Sequence, residues 1–141
     1  YQTTRETPVA TFIAKIRVFA GAEAKFEAIA QTMYEATLKE KGCLRYEYWR
    51  GAEPRSYYCL ESWDDYRCFI DHQTSDHHEA PDWGSLLEHI EIEWLDPVDQ
   101  ASALPPTNEQ ALPEDISEAA KVHAERLPAN VQSWWMALRK N

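Results

Sequence analysis

Long apolar runs are missing from this sequence, and so is any excess of positive charge. No stretch approaches the roughly 18 apolar residues of a membrane-spanning helix. Lysine and arginine number 14 against 24 acidic residues, a formal net charge of −10. That balance excludes the basic footprint of a nucleic-acid binder and opposes docking on an anionic membrane. Cysteine is scarce. Cys43, Cys59 and Cys68 form no CxxC pair, and an odd count at such spacings makes no disulfide framework. They read as reduced core thiols of a cytoplasmic protein. The first residues hold no basic stretch followed by an apolar one, so no secretory signal is read there.

What is present suits one compact domain with an appendage: 141 residues, 44% hydrophobic and 27% charged. TFIAKIRVF (11–19) alternates, with Phe12, Ala14, Ile16 and Val18 on one side, which predicts a strand ending at Gly21. The period then changes. Over 22–42, Phe26, Ile29, Ala30, Met33 and Thr37 fall on one helical stripe, with Gly42 as the stop. CLRYEYWR (43–50) and RSYYCLESW (55–63) read as a hairpin of two strands around the turn GAEP. Asp64 and Asp65 open a helix. A second short helix is expected within 75–88, and a fourth strand over 89–97. The order β-α-β-β-α-β predicts an α+β fold of ferredoxin-like split-βαβ type, one antiparallel sheet with helices on one face. Apolar residues on the other face call for a partner, most simply a second copy.

The domain is therefore drawn at 1–97, with 98–141 as a carboxy-terminal extension. The stretch 97–113 holds four of the eight prolines and reads as an extended linker. Two short helices are expected beyond it, over 114–127 and 130–140. The second carries Val131, Trp134, Trp135 and Leu138 on one face, and two adjacent tryptophans are not expected in solvent. The extension is expected to cross to a partner, to cover a pocket mouth, or to anchor to its own domain.

AKIRVFAGAEAKFEAI, GCLRYEYWR and YYCLESWDDYRCFIDHQTSDHHEA together resemble the antibiotic biosynthesis monooxygenase (ABM) family. Its members share a strand, a Gly-containing turn, a long helix, a G-C-L-x-Y-E strand and an E-x-W strand end. A helix follows, carrying a His before a second S-x-H. The resemblance covers roughly residues 10–97. It implies a homodimeric α/β barrel, with a pocket between sheet and helices in each subunit. The family does not share one reaction, so function must be argued from the site.

Three chemistries come into question for these residues. For a metal, His72, His77 and His78 have spacings of five and one, where a helix face needs three or four; no metal site is read from this pattern. For haem degradation, the resemblance requires an Asn on the first strand, and TFIAKIRVF has none. The third is cofactor-free oxygenation. An electron-rich hydroquinone or anthrone reacts with O₂ once deprotonated, so the protein must accept one proton, stabilise an oxyanion and hold a flat ring in a dry cavity. Histidine suits the proton step. His72 is the expected proton acceptor and Trp63 the ring platform. Glu61 either sits in a structural ion pair with Arg45 or orients a catalytic His, and His77 is a further candidate. Tyr46, Tyr48 and Tyr57 would supply walls and phenolic donors, with Phe69 and Arg45 also lining the pocket. No cofactor is expected. The function read from this is a homodimeric monooxygenase acting on a phenolic, quinol or polyketide-like aromatic with O₂. An isomerase or lyase using the same pocket is the first alternative, and a non-catalytic ligand- or haem-binding dimer the second.

Overall fold

The computed structural model describes residues 9–108, 110–112 and 114–139. Strand β1 (Ala10–Val18) leads into helix α1 (Glu23–Thr37) and strands β2 (Cys43–Arg50) and β3 (Ser56–Trp63). Helices α2 (Tyr66–Gln73), α3 (Asp76–Glu79) and α4 (Trp83–Leu86) connect to strand β4 (Leu87–Trp94), and helices α5 (Glu118–Arg126) and α6 (Ser133–Leu138) lie beyond it. The strands form one antiparallel sheet in the order β2-β3-β1-β4. β1 and β2 therefore run parallel with β3 between them, the split βαβ arrangement of the ferredoxin-like fold.

Register assigns the two faces. Phe12 lies opposite Glu61 and Trp94, Ala14 opposite Cys59 and Ile92, and Ile16 opposite Tyr57 and Ile90. Tyr46 and Tyr48 extend this face from β2. Helices cover it: the Phe26 ring sits 4.6 Å from Tyr57, and Phe69 sits 4.9 Å from Phe12 and 5.7 Å from Trp94. Each such side chain removed from water stabilises the fold by about 1.5–3 kcal/mol. On the other face Ile13, Tyr58 and Leu60 stay half-buried, beside surface pairs such as Lys15 with Glu93 at 3.3 Å.

Helix α1 stops at Thr37, earlier than the periodicity predicted. The stop signal serves a different purpose: Gly42 has φ +81° and steps into β2, and a Cβ there would collide with the Cys68 side chain.

Between β4 and α5 the described residues form no helix or strand, yet the segment is tied down. Thr107 bridges Val9 and donates to the Leu95 carbonyl at 2.6 Å. Arg139 donates to Asp96 Oδ1 and to the Thr107 carbonyl, both at 2.6 Å, and also reaches Asn108. Ser117 caps α5, which packs Ala120 against α2. The Tyr66 hydroxyl holds the end of α5 by donating to the Leu127 carbonyl at 2.6 Å. One expectation fails here: Trp135 is buried, but Trp134 is 64% exposed. Neighbours on a helix point about 100° apart, so a short helix seats only one of the pair.

Candidate active site

α2 fixes the centre of the site. Asp65 caps it by accepting from the Cys68 amide at 2.8 Å. Phe69 and His72, one turn apart, are both buried against the sheet. The chain leaves the helix through Ser75, whose hydroxyl donates to the His72 carbonyl at 2.7 Å. It then enters α3, which carries His77 and His78.

His72 is fully buried. Its Nδ1 lies 2.7 Å from Glu40 Oε2, and His77 Nε2 lies 2.6 Å from the same oxygen. The carboxylate accepts, so His72 Nδ1 is the donor, and the tautomer this bond selects carries its lone pair at Nε2. That Nε2 is buried without a hydrogen bond among the described residues. Trp63 packs on the ring at 4.9 Å, His78 at 4.8 Å and Tyr46 at 5.2 Å between centroids. Burial pushes the Glu40 carboxyl up, but the hydrogen bonds and charges of the two imidazoles outweigh it and hold the group below its ordinary value.

In front of this cluster, between sheet and helices, lies an inner cavity of about 340 Å³. Tyr46, Tyr48, Glu61, Phe69 and His78 form its deep wall. The two phenols share a 2.8 Å hydrogen bond, and burial raises both well above the ordinary tyrosine value, so they stay protonated. Burial also raises the Glu61 carboxyl, opposed by the charge of His72 and by bonds from Trp63 Nε1 (2.9 Å) and Cys59 Sγ (3.4 Å). Burial and the neighbouring His72 push His78 down to about 3, leaving it neutral. At the mouth, Arg126 and Leu127 of the extension complete the lining.

The fold separates the other expected residues. Trp63 is fully buried behind the wall, against His72, rather than forming a platform in the cavity. Tyr57 lines a second, open groove of about 760 Å³ between α1 and β2, where its hydroxyl donates to Glu27 at 2.7 Å. Arg45 points from the opposite face of β2, opposite Ser62, and pairs with Glu47 at 3.1 Å. It is therefore no partner for Glu61. Glu40 was missed altogether, because it comes from the α1–β2 connection and the histidines from α2 and α3. His78 and Arg126 were missed as cavity residues for the same reason. His77, a catalytic candidate, sits in the Glu40 cluster outside the cavity lining.

Glu40, His72 and His77 also present three ligand atoms within 4.8 Å of one another. Spacing along the helix counted against a metal, yet a two-His, one-carboxylate set assembles once Glu40 is brought in. Their separations of 2.6–2.7 Å are those of hydrogen bonds.

A ferredoxin-like sheet backed by helices, with a small aromatic-walled cavity between them, defines an α+β ligand-pocket domain. The sequence profile of antibiotic biosynthesis monooxygenases matches residues 10–80, and the chain belongs to that family. No curated protein matches the chain in sequence. Among solved structures it is similar to PA3566 from Pseudomonas aeruginosa (24% identity, TM-score 0.60), covering 69% of this chain and 99% of that one. Rv0793 from Mycobacterium tuberculosis is similar at 24% identity and TM-score 0.60, covering 67% and 99%. A conserved protein from Methanosarcina mazei Go1 reaches 27% identity and TM-score 0.58, covering 63% and 92%. No helix among the described residues is long and apolar enough to cross a membrane.

Proposed function

We propose that this chain is a cofactor-independent monooxygenase that oxidises a small phenolic, quinol or polyketide-like aromatic with O₂, working as a cytoplasmic homodimer joined through the open sheet face. The observation that carries the reading is the Glu40–His72 pair. A buried imidazole has one nitrogen fixed by a carboxylate and the other left without a partner, directly behind an aromatic-walled cavity. That is the arrangement of an oriented general base.

In this mechanism the ring enters against Phe69, and its hydroxyl proton leaves through the wall. His78 lines the cavity and meets the His72 ring edge-to-face at 4.8 Å, so it stands between the substrate and the acceptor. Tyr46 and Tyr48 stay protonated, and since one hydroxyl donates to the other, the pair offers one O–H to the phenolate. O₂ then adds at the activated ring carbon, and the proton returned from His72 makes the hydroperoxide. Loss of water, which carries off the hydrogen of that carbon, leaves a carbonyl, the substrate supplying all four electrons that O₂ takes up. Trp63 and Glu61 act as positioning residues: the indole holds the His72 ring and bonds the Glu61 carboxylate.

Oxygen uptake tests this. Metal-stripped protein is given hydroquinones, naphthoquinols and anthrones, beside His72→Ala and His72→Gln, with circular dichroism as the check on folding. Protein-dependent uptake that falls at least about 100-fold in both variants is expected for loss of a general base. Turnover that persists in the variants removes His72 from the mechanism. Rearrangement of substrate under nitrogen points to an isomerase instead.

A further inference from the structure

The inner cavity is nearly free of positive charge. Its phenols, thiol and His78 are neutral, and Glu61 is an acid. Arg126 is the exception. It is the one lysine or arginine among the lining residues, in a chain of net charge −10. Other arginines of the described residues are occupied: Arg50 by Glu27, Arg55 by Glu88, Arg67 by Asp71 and Arg139 by Asp96. Arg126 has no hydrogen-bond or ion-pair partner among them.

Its side chain is exposed, but the backbone that carries it is not a loose terminus. The Tyr66 hydroxyl donates to the Leu127 carbonyl at 2.6 Å and approaches that of Ala124 at 3.4 Å, pinning the last turn of α5 to α2. A cation at a helix carboxy-terminus also complements the helix dipole, but that role leaves the guanidinium N–H donors free. A guanidinium fork matches a carboxylate in geometry and charge.

We infer that Arg126 is the binding subsite for an anionic substituent of the substrate, and that the ligand of this cavity is a small phenolic aromatic bearing a carboxylate. The inference rests on the proposed reading of the cavity as an aromatic-substrate pocket. The flat ring lies among Phe69 and the tyrosines, and its carboxylate points outward to the extension. A volume of about 340 Å³ is at the small end of ligand pockets, which suits two fused rings.

The test measures binding rather than turnover. 1-Hydroxy-2-naphthoate and 1-naphthol, which differ only by the carboxylate, are titrated calorimetrically into wild-type protein and into Arg126→Gln and Arg126→Lys at low and high salt. Wild type is expected to bind the naphthoate about tenfold more tightly than the naphthol, with the gain shrinking in salt. Arg126→Gln should remove that gain and leave naphthol binding within about twofold; Arg126→Lys should keep part of it. Equal affinity for the two probes, or equal losses for both in Arg126→Gln, overturns the inference and leaves the oxygenase reading standing. Failure of both probes to bind at millimolar concentration overturns both. A carboxylate preference that depends on Arg126 without oxygen uptake sustains the subsite and removes the oxygenase.

Discussion

Glu27 and Glu40 each accept from two side chains, and the partners decide what each can do. Glu27 binds Arg50 at 2.7 Å and the Tyr57 hydroxyl at 2.7 Å, in the open groove beside α1. The bonds from Arg50 and Tyr57 lower it to about 2. Both partners keep their protons at neutral pH: arginine always does, and burial together with Glu27 pushes Tyr57 up to about 12. Glu40 binds two imidazoles, one of them fully buried. The first cluster is a fixed clasp. The second joins groups that can exchange protons, and it stands behind the inner cavity. Tyr48 lines both spaces, so one strand residue separates a static site from a titratable one.

Breaking the two clusters should have unequal results. The largest expected effect is on turnover: His72→Gln loses at least about 100-fold in kcat, whereas Glu27→Gln stays within about twofold in the same oxygen-electrode assay. Equal losses would dissolve the distinction. Glu40→Gln comes next, with about tenfold lower kcat from a misoriented imidazole. It also carries a pH signature. A carboxyl held below the ordinary 4.5 adds stability that is fully present above that pH and disappears as pH falls through the lower, folded value. Melting scans between pH 6 and pH 3 should therefore show a shallower acid decline in Glu40→Gln than in wild type.

Glu61 should behave with the opposite sign. Its folded carboxyl is raised by burial, so stability is lost as pH rises from the ordinary value through the raised one, and the cost is absent below the ordinary one. Glu61→Gln, which keeps an acceptor for Trp63, is expected to raise Tm at pH 7; a lower Tm would count against it. The smallest effect is expected at Tyr57→Phe, about 1 kcal/mol or less of stability from one hydroxyl, with the oxygen-uptake rate unchanged.

The sheet could be read from the sequence because strand alternation is local: Phe12, Ala14 and Ile16 announce their face without help from the rest of the chain. The same parity puts Arg45 and Tyr46 on opposite faces, so Arg45 cannot reach Glu61. Glu40 could not be read in this way. It precedes His72 by 32 positions and owes its role to the fold of the α1–β2 connection over α2 and α3. Arg126 lies still further from the residues it joins. Side chains that meet only through tertiary packing leave no periodic trace.

The extension contributes two side chains to the cavity and is tied to the domain by the Tyr66 hydroxyl and by the pair of its own Arg139 with Asp96. Neither tie involves Glu40, His72 or His77. On the proposed reading, recognition at the rim can therefore be redesigned separately from the chemistry behind the wall. Grafting residues 98–139, with Tyr66, onto a shorter relative should transfer ligand preference without transferring chemistry.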